Sequence, residues 1–149
     1  MPAYRPIPPG HRASTAALLS GRVAPARGSL PLSVRASRGA APVPLPLIQA
    51  VTAETYAARL VGLVRCRELP MDRALLFPRC RRVHCAGMHI PIDVVLLDGS
   101  LAVLAVRTVE PWHAAPAAAG TRHVLELAAG AAACLQPGDA LSLGPAGRI

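Results

Sequence analysis

Four short apolar runs follow one another in the middle of the chain: Leu75 to Phe77, Val83 to Met88, Ile92 to Leu97 and Leu101 to Arg107. They are separated by Pro78, Pro91 and Asp98-Gly99-Ser100. Runs this short cannot form helices with a useful buried face, but they match the length of strands. Proline cannot donate to a central ladder, so Pro78 and Pro91 mark strand ends. The Asp-Gly-Ser separator is a turn signal that predicts a hairpin between the last two runs.

The flanks extend the pattern. Leu47 to Val51 reads as a first strand, and Thr52 is a candidate N-cap with Glu54 in the first turn behind it. Ala57, Leu60, Val61 and Val64 recur at helical spacing, which predicts one packed helix fading near Cys66. Glu110-Pro111-Trp112 opens a loop through the alanines to Gly120, and His123 to Leu127 reads as a strand. Ala128 to Leu135 could form a brief helix before the turn Pro137-Gly138-Asp139, with Ala140 to Leu143 as the closing strand. Six or seven short strands and one helix predict a mainly β sandwich or barrel without a parallel βαβ rhythm.

The chain has 149 residues, enough for one ordinary domain. Residues 1–46 mix proline, glycine, serine and arginine without an apolar period, which predicts a disordered tail ahead of a domain spanning 47–145. Residues 1–50 carry six arginines and no acid, whereas residues 51–149 carry ten arginines and all eight acids. The domain is thus near charge balance. With aromatics scattered singly, specific nucleic-acid binding is not expected. All sixteen basic residues are arginine, which fits GC-rich coding and a bacterial source. No stretch is long and apolar enough to cross a bilayer as a helix, so the expected location is the cytoplasm, with export through an atypical N-terminal signal as the alternative.

Residues 78–98 concentrate the chemistry. Cys80, His84, Cys85 and His89 suggest zinc ligands, but along a strand Cys80 and His84 face one way and Cys85 and His89 the other. Cys80 and His84 would lie about 13 Å apart at their backbones on a straight strand, too far for a thiolate and imidazole pair. The four cysteines contain no C-x-x-C pair and read as free thiols. No metal and no cofactor are expected. Asp93 and Glu126 each interrupt an apolar strand. Alternation could turn either outward, and an inward carboxylate would need a partner such as arginine or His84. Trp112 either lids a pocket or closes one end of the core. Gly138-Asp139 reads as a turn alone.

A series of landmarks recurs in a fixed order: Arg59-Leu60-Val61-Gly62-Leu63, Glu68-Leu69-Pro70, Leu75-Leu76-Phe77, Cys80, Val83-His84 and Gly87-Met88. Pro91-Ile92-Asp93-Val94-Val95, Leu97-Asp98, Pro111-Trp112, Val124-Leu125-Glu126-Leu127 with Gly130, and Pro137-Gly138-Asp139 continue it. Over residues 51–143 the chain resembles the bacterial and archaeal family called domain of unknown function 192. It departs at Ala74, where the family usually has glycine, at Cys85, often threonine, at His89, commonly Arg or Lys, and in a short turn after Asp98. The resemblance implies a jelly-roll-like β-sandwich with a packed helix and no established activity.

The expectation is a non-catalytic module that binds a small ligand or a protein through His84, Met88, Asp93, Trp112 and Glu126. The alternative is an enzyme in which His84 with Asp93 or Glu126 carries acid–base or metal-assisted chemistry.

Overall fold

Every residue of Ile92–Leu97 is buried, which requires a strand covered on both faces. The computed structural model describes residues 32–53, 63, 67–83 and 85–145. Among them are eight strands: β1 (Leu32–Arg38), β2 (Ala41–Pro42), β3 (Ile48–Thr52), β4 (Arg73–Phe77), β5 (Ile92–Leu97), β6 (Val103–Val109), β7 (His123–Ala128) and β8 (Ala140–Pro145). They form one curled sheet in the order β2-β1-β3-β4-β7-β5-β6, with β8 on β1. Its outer strands meet at one end. Val103 N–H donates to Asp139 O, Gly138 N–H to Val103 O, and Leu141 N–H to Leu101 O, so the sheet curls into a partly closed half-barrel.

Strand alternation divides the core into two layers. Val34, Ala50, Leu76, Val95, Leu97, Leu125 and Leu127 belong to the first, which the turns at 128–135 cover with Ala131, Ala132 and Leu135. Val51, Leu75, Ile92, Val94, Leu96 and Val124 point to the second, which Leu63, Cys85, Met88 and Ala115 cover. The three middle strands β4, β7 and β5 contribute to both. Full burial of a leucine or valine side chain stabilises the fold by about 1.5–3 kcal/mol, so this doubly covered centre dominates the energetics.

Most predicted strands appear within one or two residues, and β5 and β6 pair antiparallel as the hairpin signal requires. In the turn, Asp98 Oδ1 accepts from the N–H of Ser100 and Ala102 and from Ser100 Oγ, tightening the short loop. Leu101 takes the left-handed φ of 67° there.

Six expectations are corrected. Residues 32–46 belong to the sheet: β1 pairs with β2, β3 and β8, Val43 is buried, and the ordered structure therefore begins well ahead of residue 47. Gly39, at φ 60°, occupies the position where a two-residue hairpin favours glycine. Second, β3 and β4 run parallel, and the connection between them places Leu63 in the second core layer. Third, no α-helix occurs among the described residues. Thr52 ends β3 rather than capping a helix, and the helix predicted behind it falls outside the described residues apart from Leu63. Fourth, residues 128–135 form consecutive turns, with Ala131, Ala133 and Leu135 N–H each bonding three residues back, rather than a brief helix. Fifth, the described residues of 83–88 form no strand. Among the described residues of that stretch the chain turns, with Met88 N–H on Cys85 O. Finally, the jelly-roll-like sandwich implied by the family resemblance is replaced by one curled, half-barrel sheet.

Candidate functional site

The five candidate residues do not form one surface. Cross-strand pairing places Val94 opposite Glu126 and Asp93 opposite Leu127. Directly paired residues share a face and adjacent ones oppose. Glu126 therefore lies with Val94 and Leu75 on the second core layer, whereas Asp93 lies with Leu127 on the first. Each is only 3% exposed. The outward orientation that alternation allowed fails because the sheet is covered on both faces.

Asp93 is saturated by local partners. Its Oδ1 accepts from Thr108 Oγ1 at 2.8 Å, and its Oδ2 accepts from the N–H of Gly130 at 2.9 Å and Ala132 at 3.0 Å. Neither arginine nor His84 is needed; the carboxylate fastens the 128–135 turns to the sheet and joins β5 to β6. Glu126 differs. Among the described residues no arginine forms an ion pair with it, and burial pushes its carboxyl up to about 8. It is a largely protonated acid at neutral pH, shut inside an apolar layer.

Cys85 lies beside it, buried, with its thiol pushed up to about 11 by desolvation and by the Glu126 carboxylate. A thiol held protonated is a poor nucleophile. Cys80, Cys85 and Cys134 are free thiols, and Cys80 Sγ donates to Arg82 O. Among the described residues no three His, Cys, Asp or Glu side chains converge as a metal site would require.

Met88 is 2% exposed and packs in the second layer, so it offers no binding surface. Trp112 is 74% exposed at φ 67° and neither closes the core nor buries its ring. Its backbone N–H donates to Cys85 O while Cys85 N–H donates to His113 O, which ties the two loops together. His84 lies outside the described residues.

Two features escaped the sequence reading. Asp139, a turn residue by sequence, is fully buried and held bidentately by one guanidinium edge of Arg38, Nε on Oδ1 at 2.8 Å and Nη2 on Oδ2 at 3.0 Å. Arg38, part of the supposed tail, thereby locks the end of β1 to the turn before β8. An accessible concavity also lies elsewhere: an open cleft of about 460 Å³ lined by Arg79, Arg81, Gly99, Arg122 and His123. The tight run Arg79-Cys80-Arg81-Arg82 was the signal available for it.

A family model described as an uncharacterized ACR, the domain of unknown function 192, matches residues 42–143. The chain is similar to a crystal structure of a protein of unknown function from Novosphingobium aromaticivorans DSM 12444, at 24% identity and a TM-score of 0.67, covering 80% of this chain and 90% of that one. It is also similar to a candidate transcription regulator from Sinorhizobium meliloti 1021, at 19% identity and a TM-score of 0.66, covering 80% and 98%. Both likenesses concern the fold. No curated protein matches the chain. Among the described residues no helix is long and apolar enough to cross a membrane.

Proposed function

The chain belongs to the domain of unknown function 192 family, and on that premise we propose that it is a non-catalytic binding module. The observation that carries this reading is the separation of its two strand carboxylates. Asp93 and Glu126 are buried on opposite faces of one sheet, so they cannot share a substrate, a water or a metal ion. Asp93 has its oxygens committed to three donors. Glu126 has the raised pKa of a general acid but neighbours Val94 and Leu75 on a covered face. Accessible polar chemistry lies instead in the arginine cleft, which holds donors without a carboxylate base among its lining residues. Such a surface suits holding a ligand more than transforming it.

The test is to incubate the purified chain with pooled small-molecule fractions, measure thermal shifts, and analyse the compounds that raise the melting temperature. Recovery of the bound compound unchanged, in amounts stoichiometric with protein, supports the proposal. Catalytic conversion of it, suppressed by Glu126→Gln, would replace the proposal with the enzyme reading.

A further inference from the structure

The arginine cleft is one part of a longer depression. A second hollow of about 360 Å³, lined by Arg81, Arg82, Arg122 and the alanines at 117–119, shares Arg81 and Arg122 with the first. A third of about 390 Å³, lined by Arg82, Val83, Ala114, Ala115 and Ala117, shares Arg82 and Ala117 with the second. The depression therefore grades from a basic end at Arg79, Arg81, Arg122 and His123 to a mainly apolar end at Val83 and the alanines, where Arg82 is the one cation among the described lining residues. Each hollow is in the size range of small-molecule sites.

Among the described residues none of Arg79, Arg81, Arg82 and Arg122 forms an ion pair. An acid close to this end is Asp98, whose Oδ1 accepts from Ser100 and Ala102 and whose charge acts on His123 rather than pairing with an arginine. Local structure positions the donors. Arg79 adopts a left-handed φ of 53°, and its N–H donates to His123 Nδ1 at 3.2 Å. A neutral His123 that accepts at Nδ1 carries its proton on Nε2, a further donor. Gly99 keeps the wall low beside Arg122, whose Cγ lies 3.8 Å from where a Cβ would stand.

We infer that this depression binds a small phosphate monoester, its phosphate at Arg79, Arg81, Arg122 and His123 and its uncharged organic body along Ala117 and Val83. The inference deepens the binding-module reading and rests on it. Guanidinium forks match phosphate oxygens bidentately, and a phosphate dianion uses several arginines where a single carboxylate would leave most unpaired. A nucleic acid strand fits less well. The described lining residues include no Phe, Tyr or Trp for base stacking.

The experiment titrates the full chain with phenyl phosphate, inorganic phosphate and a short oligothymidylate by calorimetry, at low and at moderate salt. The expected result is saturable 1:1 binding of phenyl phosphate, tighter than inorganic phosphate and weakened as salt rises. Arg81→Gln and Arg122→Gln should each weaken it by about tenfold or more, the loss expected when a charge-assisted contact goes. Gly99→Leu, which fills the basic end and packs against the Arg122 stem while keeping every guanidinium, should do the same while circular dichroism shows an unchanged fold. Absence of phenyl phosphate binding at millimolar concentration, equal affinity in the three variants, or oligothymidylate binding more tightly than phenyl phosphate would each overturn the inference. Phosphorus NMR separates the two readings: release of free phosphate from the bound ester would count for the site and against a non-catalytic module.

Discussion

Replacing Glu126 with glutamine should make the protein more stable at neutral pH. In the folded chain burial lifts this carboxyl from 4.5 to about 8. Between those values the folded state holds a proton that the unfolded state has released, so stability falls as pH rises. The stabilising contribution of the protonated acid is complete below pH 4.5 and lost as pH climbs through about 8. At 1.36 kcal/mol per pH unit the full span amounts to about 5 kcal/mol, and the part incurred by pH 7 to about 3 kcal/mol. Glutamine is nearly isosteric and carries no titrating proton. With an m-value of about 1.5 kcal/mol per molar urea, Glu126→Gln should raise the pH 7 unfolding midpoint by about 2 M. Urea titrations from pH 4.5 to 8.5, followed by far-ultraviolet circular dichroism, provide the measurement. Every other ionisable group is common to both proteins, so the difference between the two curves isolates Glu126. Parallel curves, or a variant less stable than the parent at pH 7, would refute a buried and uncompensated carboxyl.

Asp93→Ala removes the acceptor for two backbone N–H groups and Thr108, and should cost about 3 kcal/mol or more in urea unfolding, while Asp93→Asn, keeping one acceptor oxygen, should cost less. Arg38 holds the Asp139 carboxyl below its ordinary 3.8, so that contribution is present above this value and lost as pH falls below it. Arg38→Ala should therefore lower the unfolding midpoint near neutrality and flatten its acid limb, read from titrations at stepwise lower pH. Trp112 is the chain's single tryptophan and 74% exposed; acrylamide should quench its fluorescence nearly as well in the native protein as in urea, and strong native protection would contradict the exposed loop.

Much of the β framework was legible because its signals were local. Ile92 to Leu97 announced β5 at its observed bounds, and Asp98-Gly99-Ser100 announced the hairpin. The parallel pair β3 and β4 was not legible, because parallel partners need a crossover and nothing in either strand specifies its direction. β1 was obscured for another reason. Within Leu32–Arg38, Val34 and Ala36 are buried while Arg35 is exposed, an alternation followed by Gly39 at the turn. The proline and arginine content averaged over residues 1–46 outweighed that seven-residue pattern. Arg38 shows the consequence, since a residue counted as tail charge is the partner that permits a buried Asp139.

The same contrast explains the candidate site. A strand exposed on one face alternates apolar and polar residues, whereas Ile92–Leu97 and His123–Ala128 are apolar at almost every position. Continuous runs of that kind signal coverage on both faces. An acid inside one has no outward side to choose, and must either find donors or lose its charge. Asp93 takes the first course, through the turns at 128–135, and Glu126 the second. Neither outcome needs a substrate, which is why the residues that looked most chemical lie deepest. The arginines around residue 80 follow the opposite logic. Arginines lacking ion pairs stay at the surface because desolvating them is costly. Grouped at the rim of a concavity, such exposed cations retain their free donors and most of their field for an anion that arrives from solution.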